Sequence, residues 1–188
     1  MVRDNRHTSA YLFGAICPDR AVGAAMITPC ADTWAMNLHL QEISTQVASG
    51  AHALLVCDGA GWHQRGKKLQ VPENITPLTL PAYSPELNPM ENVWDYLRQN
   101  KLCAQVWDTY DVIAQACETA WRFLINDPDR IRSIGSRKWV CVSLYGGFYQ
   151  FLGHQFDPVE GLAPRQRVQD QARAHADQGC PTEHANGR

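Results

Sequence analysis

One continuous apolar segment constrains the fold of this 188-residue chain more than any other feature. Residues 53–57 read Ala-Leu-Leu-Val-Cys and are followed at once by Asp58. An apolar run of strand length without polar interruption is typical of a central strand that is covered on both faces. The segment therefore predicts an α/β fold in which Asp58 lies at the carboxyl end of a buried strand.

The residues before this segment predict a hairpin and a helix. Residues 11–17 and 21–27 are apolar runs joined by Pro-Asp-Arg, a pattern typical of two strands and a tight turn. Between residues 33 and 47, apolar side chains recur with helical spacing, and Asp32 stands at the position of an N-cap. We expect this amphipathic helix to pack on the sheet.

The residues after the segment predict one more strand and two helices. Residues 75–80 have strand character, but Pro77 confines them to a sheet edge or to an irregular strand because proline lacks an N–H donor. A helix is predicted from residue 109 to residue 124, where Asn-Asp-Pro at residues 126–128 ends it. A second helix begins near residue 88.

Two acidic residues are candidate metal ligands. Asp58 is expected to end a strand, while Glu91 is the third residue of a helix that Asn88 caps and Pro89 begins. Carboxylates placed in this way in an α/β fold can share Mg²⁺ or Mn²⁺. Two simpler roles compete: Glu91 can complete a capping box with Asn88, and Asp58 with Gly59 can form a turn. Spacing alone leaves these alternatives open.

Composition limits the number of domains, the cellular location and the partners that the sequence predicts. An apolar content of 45% with six tryptophans suffices for the core of one domain. Neither a membrane span nor a signal peptide is evident, so the sequence predicts a cytoplasmic protein without a membrane partner. Seven cysteines without a Cys-x-x-Cys pair predict reduced thiols. A net charge of −2 means that contact with nucleic acid would need local basic clusters.

Two blocks of sequence resemble a known family. Residues 55–63, Leu-Val-Cys-Asp-Gly-Ala-Gly-Trp-His, and residues 80–94, Leu-Pro-Ala-Tyr-Ser-Pro-Glu-Leu-Asn-Pro-Met-Glu-Asn-Val-Trp, resemble the DDE transposases of bacterial insertion sequences in the mariner superfamily. The likeness extends from about residue 11 to residue 139. It implies a ribonuclease H-like mixed sheet flanked by helices, with Asp58 as the second catalytic aspartate and Glu91 as the catalytic glutamate.

The resemblance also implies a chemistry and its partners. In the family, two Mg²⁺ or Mn²⁺ ions support attack of water on a phosphodiester at the transposon end, and the freed 3′-hydroxyl then attacks target DNA. Trp62 and His63 would lie on the active-site loop, although a lone histidine is more often structural. The residues that could hold DNA phosphates, or else carry solvated surface charge, are Lys67, Lys68, Arg98, Lys101, Arg130 and Arg132.

One part of the family pattern is absent from this sequence. The family has a first catalytic aspartate on a first strand, and none of Asp4, Asp19 and Asp32 ends an apolar strand. Residues 1–156 are therefore interpreted as a partial ribonuclease H-like catalytic domain, and residues 157–188 as a polar, disordered tail. Loss of the first strand should leave a gap of roughly 9–10 Å beside the strand at residues 53–57 and expose its backbone.

These features predict a transposase catalytic-domain fragment that is inactive alone. Its expected partners are transposon-end and target DNA, with an upstream transposase fragment or a second copy of the chain. Two alternatives stay open. One is a stand-alone ribonuclease H-like nuclease or resolvase that recruits a third ligand such as Asp95, one turn after Glu91. The other is a non-catalytic protein that binds a full transposase through an exposed sheet edge.

Overall fold

The computed structural model describes residues 9–58, 68–82, 84–103, 107 and 109–136. This part of the chain is a mixed α/β structure in which two strands precede one helix and two further strands precede three helices. The elements are β1 (Tyr11–Cys17), β2 (Val22–Thr28), α1 (Thr33–Gln46), β3 (Ala53–Cys57), β4 (Ile75–Thr79), α2 (Pro89–Leu97), α3 (Tyr110–Ile125) and α4 (Pro128–Gly135). A 3₁₀ turn (Pro85–Leu87) precedes α2, and a π-helical turn (Arg98–Leu102) extends it.

Strands β1 and β2 form the predicted hairpin. They pair antiparallel in a register that runs from Tyr11 opposite Thr28 to Cys17 opposite Val22. The turn closes through the N–H of Ala21, which donates to the carbonyl of Pro18 at 3.2 Å. Ala21 adopts a φ of 54°, the left-handed conformation that a turn this tight requires of its last residue.

Strands β3 and β4 pair in parallel, with Ala53 opposite Ile75 and Cys57 opposite Thr79. At one end of the ladder the N–H of Ala53 donates to Asn74, and at the other Cys57 accepts from the N–H of Leu80, both at 2.8 Å. Alternation along the strand then directs the nitrogen of Pro77 to the outer edge, where no donor is needed. The expectation that Pro77 occupies an edge strand is confirmed.

The single mixed sheet expected from the sequence is not formed by the described strands. They make two separate two-stranded sheets, β1–β2 and β3–β4. The expectation that residues 53–57 are covered on both faces is wrong in part, because Leu54 is 41% exposed. Within the described ranges, β3 carries a ladder on one edge only.

Helix α1 covers one face of both strand pairs. Its buried Met36 and Leu40 pack in one cluster with Phe13 of β1, Leu55 of β3 and Ile75 of β4. The predicted N-cap holds, because the carboxylate of Asp32 accepts the N–H of Ala35 at 2.8 Å. The shared cluster shows that β1 and β3 lie in the same layer, below the same helix.

The opposite face of the hairpin carries α2, α3 and α4. Their core is fully or almost fully buried and consists of Val93, Leu97, Ala120, Trp121, Leu124 and Ile131. The packing is close at Gly14, where a Cβ would lie 2.8 Å from the indole of Trp94 and 3.0 Å from that of Trp121. Glycine is required at this point because two indole rings approach the backbone of β1.

Helix α3 is confirmed, and α4 is an addition to the predicted elements. Thr109 caps α3 by accepting the N–H of Val112 at 3.4 Å. The residues expected only to end α3 also begin α4: the carboxylate of Asp127 accepts the N–H of Arg130 at 2.9 Å, and Pro128 is the first helical residue. A proline after a helix thus served both as a stop and as an N1 residue.

The remaining predictions concern the cysteines, membrane-spanning helices and the C-terminal residues. Cys17, Cys57, Cys103 and Cys117 are free thiols as expected, whereas Cys30 is disulfide-bonded, against expectation. In the described ranges no helix has the length and apolar character needed to cross a bilayer. The predicted tail at 157–188 and the domain boundary at residue 156 lie outside the described residues.

Candidate metal and nucleic-acid site

Asp58 follows β3 directly, as the sequence predicts. The strand places it on the surface at the carboxyl end of β3, next to the buried Cys57. Burial, and after it the charge of Asp58, raises the pKa of the Cys57 thiol, while a hydrogen bond from Thr79 acts in the opposite direction. The carboxylate therefore sits where strand and solvent meet, at the position that metal-binding carboxylates take in α/β folds.

Glu91 lies in the first turn of α2 and is half-buried. Asn88 caps the helix, since its side-chain oxygen accepts the N–H of Met90 at 3.0 Å. A capping box would also require the carboxylate of Glu91 to accept the N–H of Asn88. That N–H instead donates to the carbonyl of Pro85 at 2.9 Å, within the 3₁₀ turn.

The capping-box interpretation of Glu91 is therefore wrong, although the N-cap itself is confirmed. The 3₁₀ turn (Pro85–Leu87) already satisfies the backbone donor that the Glu91 carboxylate would have served. Among the described residues, no hydrogen bond to the Glu91 side chain is formed, so its carboxylate oxygens remain available to a ligand. The favourable interaction of Glu91 with the helix dipole is unaffected.

Asp58 and the start of α2 border the same cavity of about 260 Å³. It lies between β1 and β3, with α1 contributing Met36 and His39 and α2 contributing Asn88, Met90 and Trp94. Glu91 follows Met90 directly in this first turn. The fold thus brings the two predicted acidic residues to neighbouring elements around one cavity.

Asp58 and Glu91 are the two predicted carboxylate ligands among the described residues, and the structure groups no third one with them. Within the described ranges, no group of three or more His, Cys, Asp and Glu side chains is placed to hold a metal. Asp95, the alternative third ligand, forms an ion pair of 2.6 Å with Arg98, and its side chain is 61% exposed. Because hard divalent ions take about six oxygen ligands, the observed donor set fits part of such a site only.

All three predicted phosphate-binding arginines pair with acidic residues of their own helical turn. Arg98 meets Asp95 as described above, Arg132 meets Asp129 at 3.1 Å, and Arg130 meets Asp127 at 3.7 Å. Exposed pairs of this kind are weak, worth about 0–1 kcal/mol, and a phosphate can compete with them. Their positive charge is nevertheless largely balanced locally.

The two predicted lysines in the described residues stand in different surroundings. Lys101 lies in the π-helical turn, and its ammonium group sits 4.2 Å from the ring centroid of Phe123. Lys68 is exposed, and its backbone carbonyl accepts the side-chain amide of Asn37 at 3.0 Å, which ties this loop to α1. Neither lysine forms an ion pair with a described acidic residue.

Two features of the described residues were not predicted from the sequence. Tyr96 and Phe123 stack with ring centroids 5.8 Å apart, and the guanidinium of Arg130 lies 5.2 Å from the ring of Tyr96. His39 is buried at the cavity, with its ring 5.9 Å from that of Phe13. No sequence signal marks the stack, because it joins α2 to α3 across many residues of chain.

Trp62, His63 and Lys67 lie outside the described residues. Their predicted places on the active-site loop and at the DNA stay predictions.

Comparison with known proteins identifies a family that matches more than half of this chain. Residues 2–113 match the model of the family described as DDE superfamily endonuclease. An uncharacterized protein of Sinorhizobium fredii (strain NBRC 101917 / NGR234), y4pE/y4sA, is 50% identical over 130 residues, which are 69% of this chain and 96% of that protein. No solved structure matches the chain.

Proposed function

The chain belongs to the DDE superfamily endonuclease family, and we propose that it is the part of a transposase catalytic domain that supplies Asp58 and Glu91. The proposed fold is ribonuclease H-like, with β2, β1, β3 and β4 in one layer and the place of the first strand between β1 and β3. The proposed reaction of the intact enzyme is cleavage and transfer of DNA strands at transposon ends.

One observation carries this proposal. The N–H of Asn88 is bound by Pro85, so helix capping does not account for Glu91, whose helix begins at the cavity that Asp58 borders. A half-buried carboxylate that forms no hydrogen bond with a described residue, on a helix that starts at the cavity bordered by a second carboxylate, is a candidate metal ligand.

The metal requirement explains why the chain is proposed to be inactive alone. DDE superfamily endonucleases generally use divalent metal ions. Bound Mg²⁺ or Mn²⁺ would activate a water and stabilise the leaving oxygen of a phosphodiester. Asp58 and Glu91 are two ligands of such a set, and the described residues provide no third carboxylate beside them. An upstream transposase fragment is the proposed source of the third carboxylate.

The proposed contacts with DNA follow from the charges around the site. Lys68 and Lys101 carry charge that no described carboxylate balances, so we place them first among the phosphate-binding residues. Arg98, Arg130 and Arg132 would have to exchange a carboxylate for a phosphate. Trp62, His63 and Lys67 are retained as proposed site residues. Transposon-end DNA and target DNA remain the proposed substrates, and a second copy of the chain a proposed partner.

Proposed inactivity is tested with supercoiled plasmid DNA. Incubation with the purified chain and Mg²⁺ or Mn²⁺ should produce no more nicked circles than the Asp58→Asn/Glu91→Gln double variant does. Gel electrophoresis measures the fraction nicked. Robust nicking by the unaltered chain that disappears in the double variant would overturn the proposed inactivity.

The metal-ligand role has a test that does not depend on activity. Titration of the chain with Mn²⁺ should broaden the amide NMR signals of residues next to Asp58 and Glu91, because the ion is paramagnetic. The broadening should be lost in Asp58→Asn and in Glu91→Gln, while the Asp95→Asn variant should retain it. Broadening that persists in both site variants would show that the ion binds elsewhere.

A further inference from the structure

One side chain of α1 binds the backbone of the segment that leads into β4. The amide nitrogen of Asn37 donates to the carbonyl of Lys68 at 3.0 Å, and its amide oxygen accepts the N–H of Gln70 at 2.8 Å. In a parallel strand pair, a residue makes the same two bonds, to the residues on either side of the one that it faces. The side chain of Asn37 thus acts as a short piece of strand that fixes the backbone on both sides of Leu69.

This clamp determines which way the side chains of the segment point. Leu69, between the two bonded residues, is half-buried and packs in the α1 cluster with Met36 and Leu40. Its neighbours Lys68 and Gln70 are exposed. Because Leu69 is held inward and the backbone is fixed on either side of it, the side chain of Lys68 is held outward.

The clamp lies toward the end of α1 that is near Asp58. Ala31, which precedes the helix, and Met36, the neighbour of Asn37, border the same cavity as Asp58. Lys68 is therefore exposed at the same end of the fold as this candidate metal ligand.

A second clamp of the same kind marks the opposite end of α1. The amide nitrogen of Asn74 donates to the carbonyl of Ser44 at 3.0 Å, and its amide oxygen accepts the Ser44 hydroxyl at 2.8 Å. The backbone carbonyl of Asn74 also accepts the N–H of Ala53, at the start of β3 and thus at the end of this strand away from Asp58. The two clamps fasten one segment to one helix, but the clamp at Asn37 is the one that bonds to a lysine.

We propose that Asn37 is a positioning residue for DNA binding: it fixes the backbone of Lys68 so that the ammonium group is directed to solvent at the Asp58 end of the fold, where it binds a DNA phosphate. The role assigned to Asn37 rests on the proposed function. A fixed backbone leaves less conformational freedom for Lys68 to lose on binding, so the contact is stronger than that of a lysine on a free loop. Asn37 itself is uncharged and neutralises no phosphate.

The test measures binding of the full chain to a short fluorescein-labelled DNA duplex by fluorescence anisotropy. Lys68→Ala should weaken binding and reduce the steepness of log affinity against log salt concentration by about 0.9, the value of one lost phosphate contact. Asn37→Ala should weaken binding at low salt by at least about twofold. In the Lys68→Ala background it should cause no further loss, because Asn37 acts through Lys68.

Two further variants separate positioning from general stability. Asn74→Ala removes the second clamp and should bind DNA as the unaltered chain does. Gln70→Pro removes the N–H that Asn37 accepts and should reproduce the loss of affinity, which tests the clamp without altering α1 should Asn37→Ala fail to fold. Circular dichroism checks folding. Hydrogen exchange of the Gln70 amide should be faster in Asn37→Ala and unchanged in Asn74→Ala.

Three outcomes would overturn the role of Asn37 while leaving the proposed function in place. Unchanged affinity in folded Asn37→Ala, beside a loss in Lys68→Ala, would show that the clamp does not position the lysine. Losses that multiply in the double variant would show that Asn37 acts independently of Lys68. An equal loss in Asn74→Ala would show that both clamps only stabilise the fold.

Two other outcomes would reach further. If Lys68→Ala binds DNA with unchanged affinity and salt dependence, Lys68 is not a phosphate contact and the role of Asn37 fails with it. If the folded, unaltered chain binds no DNA, the DNA contacts of the proposed function fail as well.

Discussion

The strands of the hairpin half of the molecule (β1, β2, α2, α3 and α4) are covered more completely than those of the β3–β4 half (β3, β4 and α1). Leu97, Leu124 and Ile131 are fully buried in the first half, where three helices meet one face of the hairpin. In the second half, Leu54 and Leu78 are each 41% exposed. The two halves are joined mainly by α1, whose cluster contains residues of both.

The two candidate metal ligands are divided between these halves. Glu91 begins a helix of the well-packed half, and Asp58 ends a strand of the less covered half. Their separation therefore depends on how firmly α1 holds β3 against β1.

The largest expected effect comes from a matched pair of leucine truncations. Leu97→Ala should lower the free energy of unfolding by about 2–5 kcal/mol, because it opens a cavity at a site with 0% exposure. Leu54→Ala should cost less than about 1 kcal/mol, since much of that side chain is already solvated. Urea denaturation followed by circular dichroism measures both. Equal costs would show that the two halves are packed alike.

A smaller effect concerns the start of α2. Asn88→Ala should cost about 1 kcal/mol through loss of the N-cap. Because the structure forms no reciprocal capping box, Asn88→Ala and Glu91→Ala should be additive to within about 0.3–0.5 kcal/mol in a double-mutant cycle. The same denaturation experiment provides all four free energies. A larger coupling between the two residues would restore the capping role of Glu91.

The smallest effect concerns the thiol beside Asp58. Burial first, and then the charge of Asp58, raises the pKa of Cys57 above 9.0 in the folded chain. The stability that this pKa shift contributes to the folded chain is therefore fully present below pH 9. It is lost as the pH rises through the pKa of Cys57 in the folded chain. Iodoacetamide at pH 8 should modify the exposed Cys103 well before Cys57, with mass spectrometry as the readout.

Asp58→Asn is the matched variant for the thiol. Removing the negative charge should lower the pKa of Cys57 and raise its alkylation rate by a small factor. The pKa of the buried Cys117 is raised by burial alone, so its rate should not change. An unchanged Cys57 rate in this variant would mean that the Asp58 carboxylate points away from the thiol.

Much of the local structure could be predicted because its signals lie within a few residues of one another. The N-caps Asp32 and Asn88, the hairpin turn after Cys17 and the edge position of Pro77 all depend on neighbouring backbone groups. Helix α4 was missed since the residues that begin it also end α3. The capping box was wrongly expected because the carbonyl of Pro85, three residues earlier in the chain, accepts the N–H of Asn88 that the Glu91 carboxylate would have accepted.

The sequence by itself determined the elements, the two acidic residues and the family resemblance, since apolar periodicity, capping residues and motifs are local properties of the chain. Only the tertiary structure decided that the described strands form two separate pairs, that a cavity lies between β1 and β3, and that no described residue binds the Glu91 carboxylate. These depend on contacts between residues far apart in sequence, such as those of α1 with β1 and β3, for which packing geometry and not residue spacing sets the outcome.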